Sequence, residues 1–100
     1  MKIIEYFINQ GVIEFLKTQP VQRAYLFGSH ARLESTGTSD LDLMVDLDGK
    51  VDLFQFITIK LNLEKLLHSK VDLISSNGIS SRILPYIEKD KILIYEKQNQ

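Results

Sequence analysis

The sequence predicts an α/β fold of the α+β type, in which a mixed β-sheet of three or four strands is flanked by helices. Short apolar runs that are typical of strands alternate with longer segments whose apolar residues recur at helical spacing. The clearest element is residues 40–48, DLDLMVDLD, where apolar and acidic residues alternate with the period of a strand. Because both kinds of element alternate along the chain, the helices are expected to pack against one sheet.

Periodicity and turn residues place the other elements. Strands are expected over residues 23–27, 40–48, 71–75 and 92–96. Helices are expected over 3–17, with a bend at Gly11, over 53–68, and from Ser80 or Ser81 to Glu88, with one helical turn near 31–34.

The segment 53–68 gives the most detailed helix prediction. Asp52, with Gln55 three residues later, resembles a capping box and is the expected N-cap. The side chains expected to face the core are Leu53, Phe56, Ile57, Leu63 and Leu67.

Composition narrows the class of protein. The 100 residues fit a single domain over residues 1–100. A formal net charge of −1, spread along the chain, gives no reason to expect direct nucleic-acid binding. The lack of cysteine excludes disulfides and thiol catalysis. No apolar run approaches the ~18 residues of a membrane helix, so we expect no membrane association and a cytoplasmic location.

Acidic residues form the candidate catalytic group. Asp40 and Asp42 stand two apart on the expected strand, so both side chains project from one face, roughly 7 Å apart. Carboxylates this close repel each other unless a cation lies between them, and Mg²⁺ suits such ligands. Asp72, on the following strand, supplies a third carboxylate. Three carboxylates could hold two metal ions.

A candidate phosphate-binding turn precedes these residues. Gly28 follows the expected strand 23–27 and would let the backbone approach a phosphate closely. Ser29 adds a hydroxyl donor, and free N–H groups of a following helical turn would point at the same place. Arg32 is a candidate phosphate contact, although it is equally typical of a surface residue.

Each of these patterns has a simpler interpretation. Residues 40–48 alone are more typical of an amphipathic strand with a solvated acidic face, and Gly28-Ser29 alone is a weak signal. The combination with Asp72 favours the catalytic interpretation. We expect Asp46 and Asp48 to be solvated or to form the turn, and Arg23 to be structural.

The pattern also carries a family resemblance. Gly28-Ser29, followed after ten residues by Asp40-x-Asp42, resembles the signature of the DNA polymerase β-like nucleotidyltransferase superfamily. The strings GSHAR at 28–32 and SDLDL at 39–43 are similar to its minimal nucleotidyltransferase (MNT) branch, whose members are about this size. Asp72 in VDLIS matches the third carboxylate of the family. Leu33 departs from the family, which more often has glycine there, and this puts the way the triphosphate is held in doubt.

This resemblance implies a function. The expected fold is that of the polymerase β-like nucleotidyltransferases, with Mg²⁺, two ions by expectation, held by Asp40, Asp42 and Asp72. ATP would be the donor, contacted by Gly28, Ser29 and Arg32. The MNT branch resembles the antitoxin half of toxin–antitoxin pairs and adenylylates a tyrosine of a helical HEPN ribonuclease toxin. The implied partner is therefore a HEPN-like toxin, in a homo- or hetero-oligomer.

Two other functions are compatible with the same fold. The chain could be an antitoxin that blocks its toxin by binding alone, or a small-molecule nucleotidyltransferase of the aminoglycoside-modifying type. Enzymes of the second kind usually carry an additional helical domain, which these 100 residues do not contain. The sequence has no base-reading motif, so the nucleotide base and the acceptor stay open.

Overall fold

The described elements alternate between helices and strands, as the sequence predicted. The computed structural model describes residues 2–31 and 40–98. In chain order its elements are α1 (Lys2–Asn9), α2 (Val12–Lys17), β1 (Val21–Phe27), α3 (Gly28–Ala31), β2 (Leu41–Leu47), α4 (Leu53–Leu67), β3 (Val71–Ser75), a 3₁₀ turn (Ser76–Gly78), α5 (Leu84–Asp90) and β4 (Ile92–Glu96). The predicted fold class is confirmed, and the strand bounds differ from the expected ones by at most two residues.

The described strands form one mixed sheet in the order β3-β2-β1-β4. β1 pairs antiparallel with both β2 and β4, whereas β2 and β3 are parallel. The crossover from β2 to β3 runs through α4, as a parallel pair requires. Consequently β3 is an edge strand, and β2 lies between β1 and β3.

One face of the sheet carries the main core. The alternation of β2 buries Leu41, Leu43 and Val45, each 5% exposed or less. These side chains join one cluster with residues of α1, α2 and α4, including Phe7, Leu16 and Leu63. Burying this apolar surface is the dominant favourable contribution to folding, and it fixes which face of each strand points away from the core.

The opposite face of the sheet is partly covered. Met44 shares the parity of Asp42 and Asp46, yet it is only 2% exposed and lies outside the main cluster. α3 packs against both β2 and α5, and Ile87 of α5 is also buried outside that cluster. Met44 and Ile87 are therefore buried by packing that is separate from the main cluster.

The amino-terminal helix is interrupted rather than bent. The expected helix over 3–17 is two helices, α1 and α2, separated at Gly11. Gly11 adopts a φ of 82°, in the left-handed region that side chains rarely occupy. α2 nevertheless starts directly there, because the Gly11 carbonyl accepts a hydrogen bond from the Phe15 N–H at 3.0 Å.

Helix α4 has the predicted cap but a different buried face. The Asp52 carboxylate accepts a hydrogen bond from the Gln55 N–H at 2.8 Å, which confirms Asp52 as the N-cap. The prediction that Leu53 and Ile57 face the core is wrong, since these side chains are 67% and 42% exposed. The buried residues are Ile59, Leu63 and Leu67.

The last helix starts later than expected. α5 begins at Leu84, with Ile83 as its N-cap and Pro85 in the first turn, where its missing N–H costs nothing. Ser80 instead organises the preceding turn, since its hydroxyl accepts a hydrogen bond from the Arg82 N–H at 3.1 Å. Within residues 2–31 and 40–98, no helix has the length and apolar character needed to cross a membrane.

Candidate active site

Two carboxylates meet on the face of the sheet that points away from the main core. Asp42 of β2 and Asp72 of β3 are Cα partners in the parallel register. Neighbouring strands lie about 4.8 Å apart, so partners in register place their side chains side by side on one face. Asp42 is partly buried and Asp72 is exposed. Of the predicted acidic residues, these are the two that the structure brings together.

The packing of the opposite face enforces this placement. Leu41 and Leu43 flank Asp42, while Val71 and Leu73 flank Asp72, and all four flanking side chains are buried in the main cluster. A shift of one residue in either strand would bury a carboxylate and expose two of these side chains. The apolar residues of both strands therefore fix the acidic pair in place.

Gly28 lies directly against Asp42. It follows β1, whose last residue, Phe27, is the antiparallel partner of Asp42. Gly28 has a φ of 77°, and a Cβ atom at this position would collide with the Asp42 carboxylate oxygen Oδ2. The chain then enters the short helix α3. The glycine predicted to approach a phosphate is thus packed against one of the predicted metal ligands.

The other three predicted polar site residues are Asp40, Ser29 and Arg32. Asp40 directly precedes β2 and is exposed. Ser29 lies in α3, but its side chain is outside the described part of the structure, and Arg32 is outside the described residues altogether. Their roles in binding metal or ATP stay predictions.

The acidic pair fits Mg²⁺ shared with a phosphate rather than a cage built by the protein. Among the described residues, no three His, Asp or Glu side chains gather closely enough to hold a metal ion. Asp40 therefore does not join Asp42 and Asp72 in a preformed cluster. Mg²⁺ commonly takes one or two carboxylates and completes its octahedral shell with water and substrate phosphate oxygens. Two adjacent carboxylates supply that number of oxygen ligands.

A charged network that the sequence analysis missed lies further along the same face. Asp46, which was expected to be solvated, accepts hydrogen bonds from Arg23 at 3.4 Å and from the Tyr25 hydroxyl at 3.5 Å. Arg23 also donates to Glu96 on β4 at 3.0 Å. These bonds join β2, β1 and β4, which agrees with the structural role expected for Arg23. Only the register across three strands reveals them, so the sequence carried no local signal.

This network changes the titration of two of its members. Partial burial, and after it the nearby negative charge of Asp46, raises the pKa of the Tyr25 phenol, while Lys91 and Arg23 oppose the shift. Lys91 Nζ lies 4.4 Å from the centre of the Tyr25 ring. Hydrogen bonds to Glu96 and then to Asp46 raise the pKa of Arg23. Both shifts favour the protonated forms that the hydrogen bonds need.

One groove among the described residues lies beyond the acidic pair, towards the carboxyl ends of β2 and β3. It has a volume of about 840 Å³ and is bordered by Leu47, Phe56 and Ile74, among others. Leu47 is five residues along β2 from Asp42, roughly 16 Å at the rise of a strand. The groove contains one carboxylate, Asp52, which caps α4. Neither Asp42 nor Asp72 lines this groove.

The fold and the acidic pair define a class of enzyme, and comparison with known proteins agrees. The family described as polymerase beta, nucleotidyltransferase matches residues 2–100. The chain is 38% identical over 84 residues to a protein of Methanocaldococcus jannaschii named "Putative protein adenylyltransferase MJ0126", covering 82% of this chain and 83% of the relative. This chain therefore belongs to the polymerase β nucleotidyltransferase family.

Solved structures of toxin–antitoxin pairs contain a chain with the same fold. A toxin–antitoxin structure with AMP-PNP superposes with a TM-score of 0.73 at 21% identity, covering 95% of this chain and 74% of that chain. A structure of a tri-AMPylated Shewanella oneidensis HEPN toxin in complex with an MNT antitoxin gives 0.67 at 22% identity, covering 93% and 74%. A "Structure of putative minimal nucleotidyltransferase" is 30% identical and gives a TM-score of 0.68, covering 89% of this chain and 93% of that chain, which confirms the predicted resemblance to the MNT branch.

Proposed function

We propose that this chain is a Mg²⁺-dependent protein adenylyltransferase that transfers AMP from ATP to a hydroxyl of a HEPN-like toxin and thereby acts as its antitoxin. The observation that carries the proposal is the alignment of Asp42 and Asp72 beside Gly28 in a chain of this family. We also propose that residues 1–100 act as one domain in the cytoplasm, where ATP is available.

The names of similar proteins support this acceptor and this donor. A relative is named as a protein adenylyltransferase, and the two toxin–antitoxin structures contain AMP-PNP in one case and an AMPylated toxin in the other. The chain matches 74% or more of the length of each of these proteins. These names share an adenylyl group or an ATP analogue, which supports ATP as the donor and a partner protein as the acceptor.

In the proposed reaction the acceptor oxygen attacks the α-phosphorus of ATP. A new O–P bond forms while the bond to the β,γ-diphosphate breaks, and pyrophosphate leaves. Asp42 and Asp72, with Asp40 at the strand entry, would hold Mg²⁺, which supplies charge neutralisation at the phosphates. Asp72 is the more exposed of the pair and would take the proton of the acceptor hydroxyl. Ser29 and Arg32 would contact the phosphates.

Such a reaction depends mainly on positioning and electrostatics, which a small domain can provide. Holding the carboxylates on adjacent strands of a packed sheet keeps them close without reorganisation. The cost is their mutual repulsion, which the cation offsets when it binds.

A labelling experiment with two forms of ATP tests the proposal. The chain, Mg²⁺ and a HEPN-like toxin are incubated with ATP labelled at the α-phosphorus or at the γ-phosphorus. The expected result is label on the toxin from the first form alone, together with a toxin mass increase of one AMP. Protection of the toxin without label would replace the proposal by inhibition through binding alone. A parallel incubation with an aminoglycoside in place of the toxin should give no label, and label there would assign a different acceptor.

A further inference from the structure

We infer that Gly28 acts as a positioning residue for Asp42, because its missing side chain leaves the space that the Asp42 carboxylate occupies. The inference rests on the proposed function, since it assigns Asp42 to the catalytic site. It gives Gly28 a different task from the close approach to phosphate that the sequence suggested.

The contact is between backbone and carboxylate. A Cβ atom on Gly28 would meet three atoms of one side chain: it would overlap Asp42 Oδ2 and lie 3.1 Å from Cγ and 3.3 Å from Cβ. The three atoms nearest to this Cβ position thus all belong to Asp42. A side chain at position 28 would have to displace the carboxylate, because β1 and β2 are fixed by their pairing at Phe27 and Asp42.

Displacement of this carboxylate has a chemical consequence. Mg²⁺ demands near-ideal octahedral geometry with ligands at about 2.0–2.1 Å, so a ligand moved by a substantial fraction of an ångström binds it poorly. Misplacement of a reacting group by about 1 Å can cost ~10²-fold in rate. A methyl group at position 28 should therefore displace Asp42 and weaken Mg²⁺ binding. It should have little effect on direct contacts with ATP.

Gly28→Ala also introduces backbone strain, and Gly49→Ala is a matched control for that strain. Gly49 has a φ of 92°, and a Cβ atom there would meet nothing within 4 Å. Strain alone should lower the melting temperature on the order of 5 °C in a domain of this size. We expect Gly28→Ala to lower it further than Gly49→Ala, because the Asp42 carboxylate must also leave its position.

A double variant tests whether the extra loss comes from Asp42. Asp42→Ala removes Oδ2 and Cγ, the two atoms that a Cβ at position 28 would approach most closely. In the Asp42→Ala background, Gly28→Ala should cost no more than Gly49→Ala. An equal loss for Gly28→Ala with and without the Asp42 carboxylate would overturn the inference. This thermal test needs neither metal nor activity.

The kinetic test separates action through Asp42 from direct contact with phosphate. For Gly28→Ala we expect the Mg²⁺ concentration at half-maximal rate to rise about tenfold, with little change in the KM for ATP at saturating Mg²⁺. Gly49→Ala should match the wild type in both. A raised KM for ATP with unchanged Mg²⁺ dependence would instead make Gly28 a phosphate-binding residue. If the wild type proves inactive, the proposed function fails. The thermal comparison alone then decides whether Gly28 leaves room for the Asp42 carboxylate.

Discussion

Asp42 and Asp72 are separated by thirty positions in the chain but are direct partners across two parallel strands. Each is the second residue of its strand, so both carboxylates lie near the same end of the sheet. Neighbouring strands are about 4.8 Å apart. One hydrated divalent cation is large enough to contact both carboxylates across that distance. The pair therefore provides a pre-arranged acidic site on the face opposite the main core.

Asp72→Asn should separate function from folding. Asp72 is exposed, and the described residues provide it with no hydrogen bond or ion pair, so its carboxylate contributes little to stability. We expect AMP transfer to fall by at least about 10²-fold, whereas the melting temperature stays equal or rises because repulsion with Asp42 is relieved. Asp48→Asn is the control, since Asp48 forms only a surface ion pair with Lys97 at 3.0 Å. Full activity of Asp72→Asn would remove Asp72 from the mechanism.

The exposure of the pair also predicts coupling to the partner. β3 is an edge strand, so the described residues provide no wall for the site on that side, whereas ligand pockets usually enclose most of their ligand. We expect Mg²⁺ and an ATP analogue with a methylene bridge between the α- and β-phosphates to bind roughly tenfold more tightly in the presence of a HEPN-like toxin. Calorimetry with and without the toxin measures this. Equal affinities would mean that the chain completes its own nucleotide site.

Part of the site could be predicted from local pattern alone. Alternation in residues 40–48 assigns Asp42 to the face away from the core, because side-chain direction in a strand depends only on parity. The alignment with Asp72 depends on the register of two strands joined through α4, and the network of Arg23 and Tyr25 with Asp46 depends on β1 and β4. Such pairings are set by tertiary packing, so no local pattern reveals them.

Asp52→Ala should weaken the start of α4. The Asp52 carboxylate satisfies the Gln55 N–H at 2.8 Å, one of the amides that a helix leaves unpaired at its beginning. Removal of such a cap costs about 1 kcal/mol, which urea denaturation followed by circular dichroism can measure. Asp52→Asn keeps an oxygen acceptor and should lose only a small part of this stability. If the alanine variant were as stable as the wild type, the cap would contribute nothing.

The buried face of α4 was the least predictable part of the fold. Leu53, Ile57 and Leu61 follow the same spacing as Ile59, Leu63 and Leu67, so the helix offers two apolar stripes. Periodicity alone cannot choose between them. Contacts with α2 and β3 select the second stripe, and these contacts exist only in the folded chain. Gly11 is a related case, since the apolar pattern continues across it whereas the helix is interrupted there.

One substitution made on each stripe tests this assignment. Leu63 is 1% exposed and Leu61 is 53% exposed, although both lie on α4 two residues apart. Leu63→Ala should cost about 2–5 kcal/mol, because it removes buried methyl groups and leaves a cavity. Leu61→Ala should change the free energy of unfolding by no more than about 0.5 kcal/mol. Chemical denaturation compares them directly, and similar losses for both would show that the stripe containing Leu61 is also packed.

Tyr25 should make stability depend on alkaline pH. Its pKa in the folded chain is raised above the ordinary value of 10.0, chiefly by burial and then by the Asp46 charge. The folded state therefore holds the phenolic proton more tightly than the unfolded state does. The resulting stabilisation is fully present below pH 10 and is lost as the pH rises through the folded pKa.

Tyr25→Phe provides the measurement for this dependence, because it keeps the ring and removes the titrating hydroxyl. Above about pH 10, the wild type should lose stability more steeply than Tyr25→Phe in denaturation experiments. The difference between their tyrosinate absorbance titrations should give a midpoint above the ordinary phenol value for Tyr25. Tyr86 is the control, since its side chain is 73% exposed and Tyr86→Phe should leave the pH dependence of stability unchanged. Parallel stability curves for wild type and Tyr25→Phe would mean that the hydroxyl beside Asp46 is as well solvated in the folded chain as in the unfolded one.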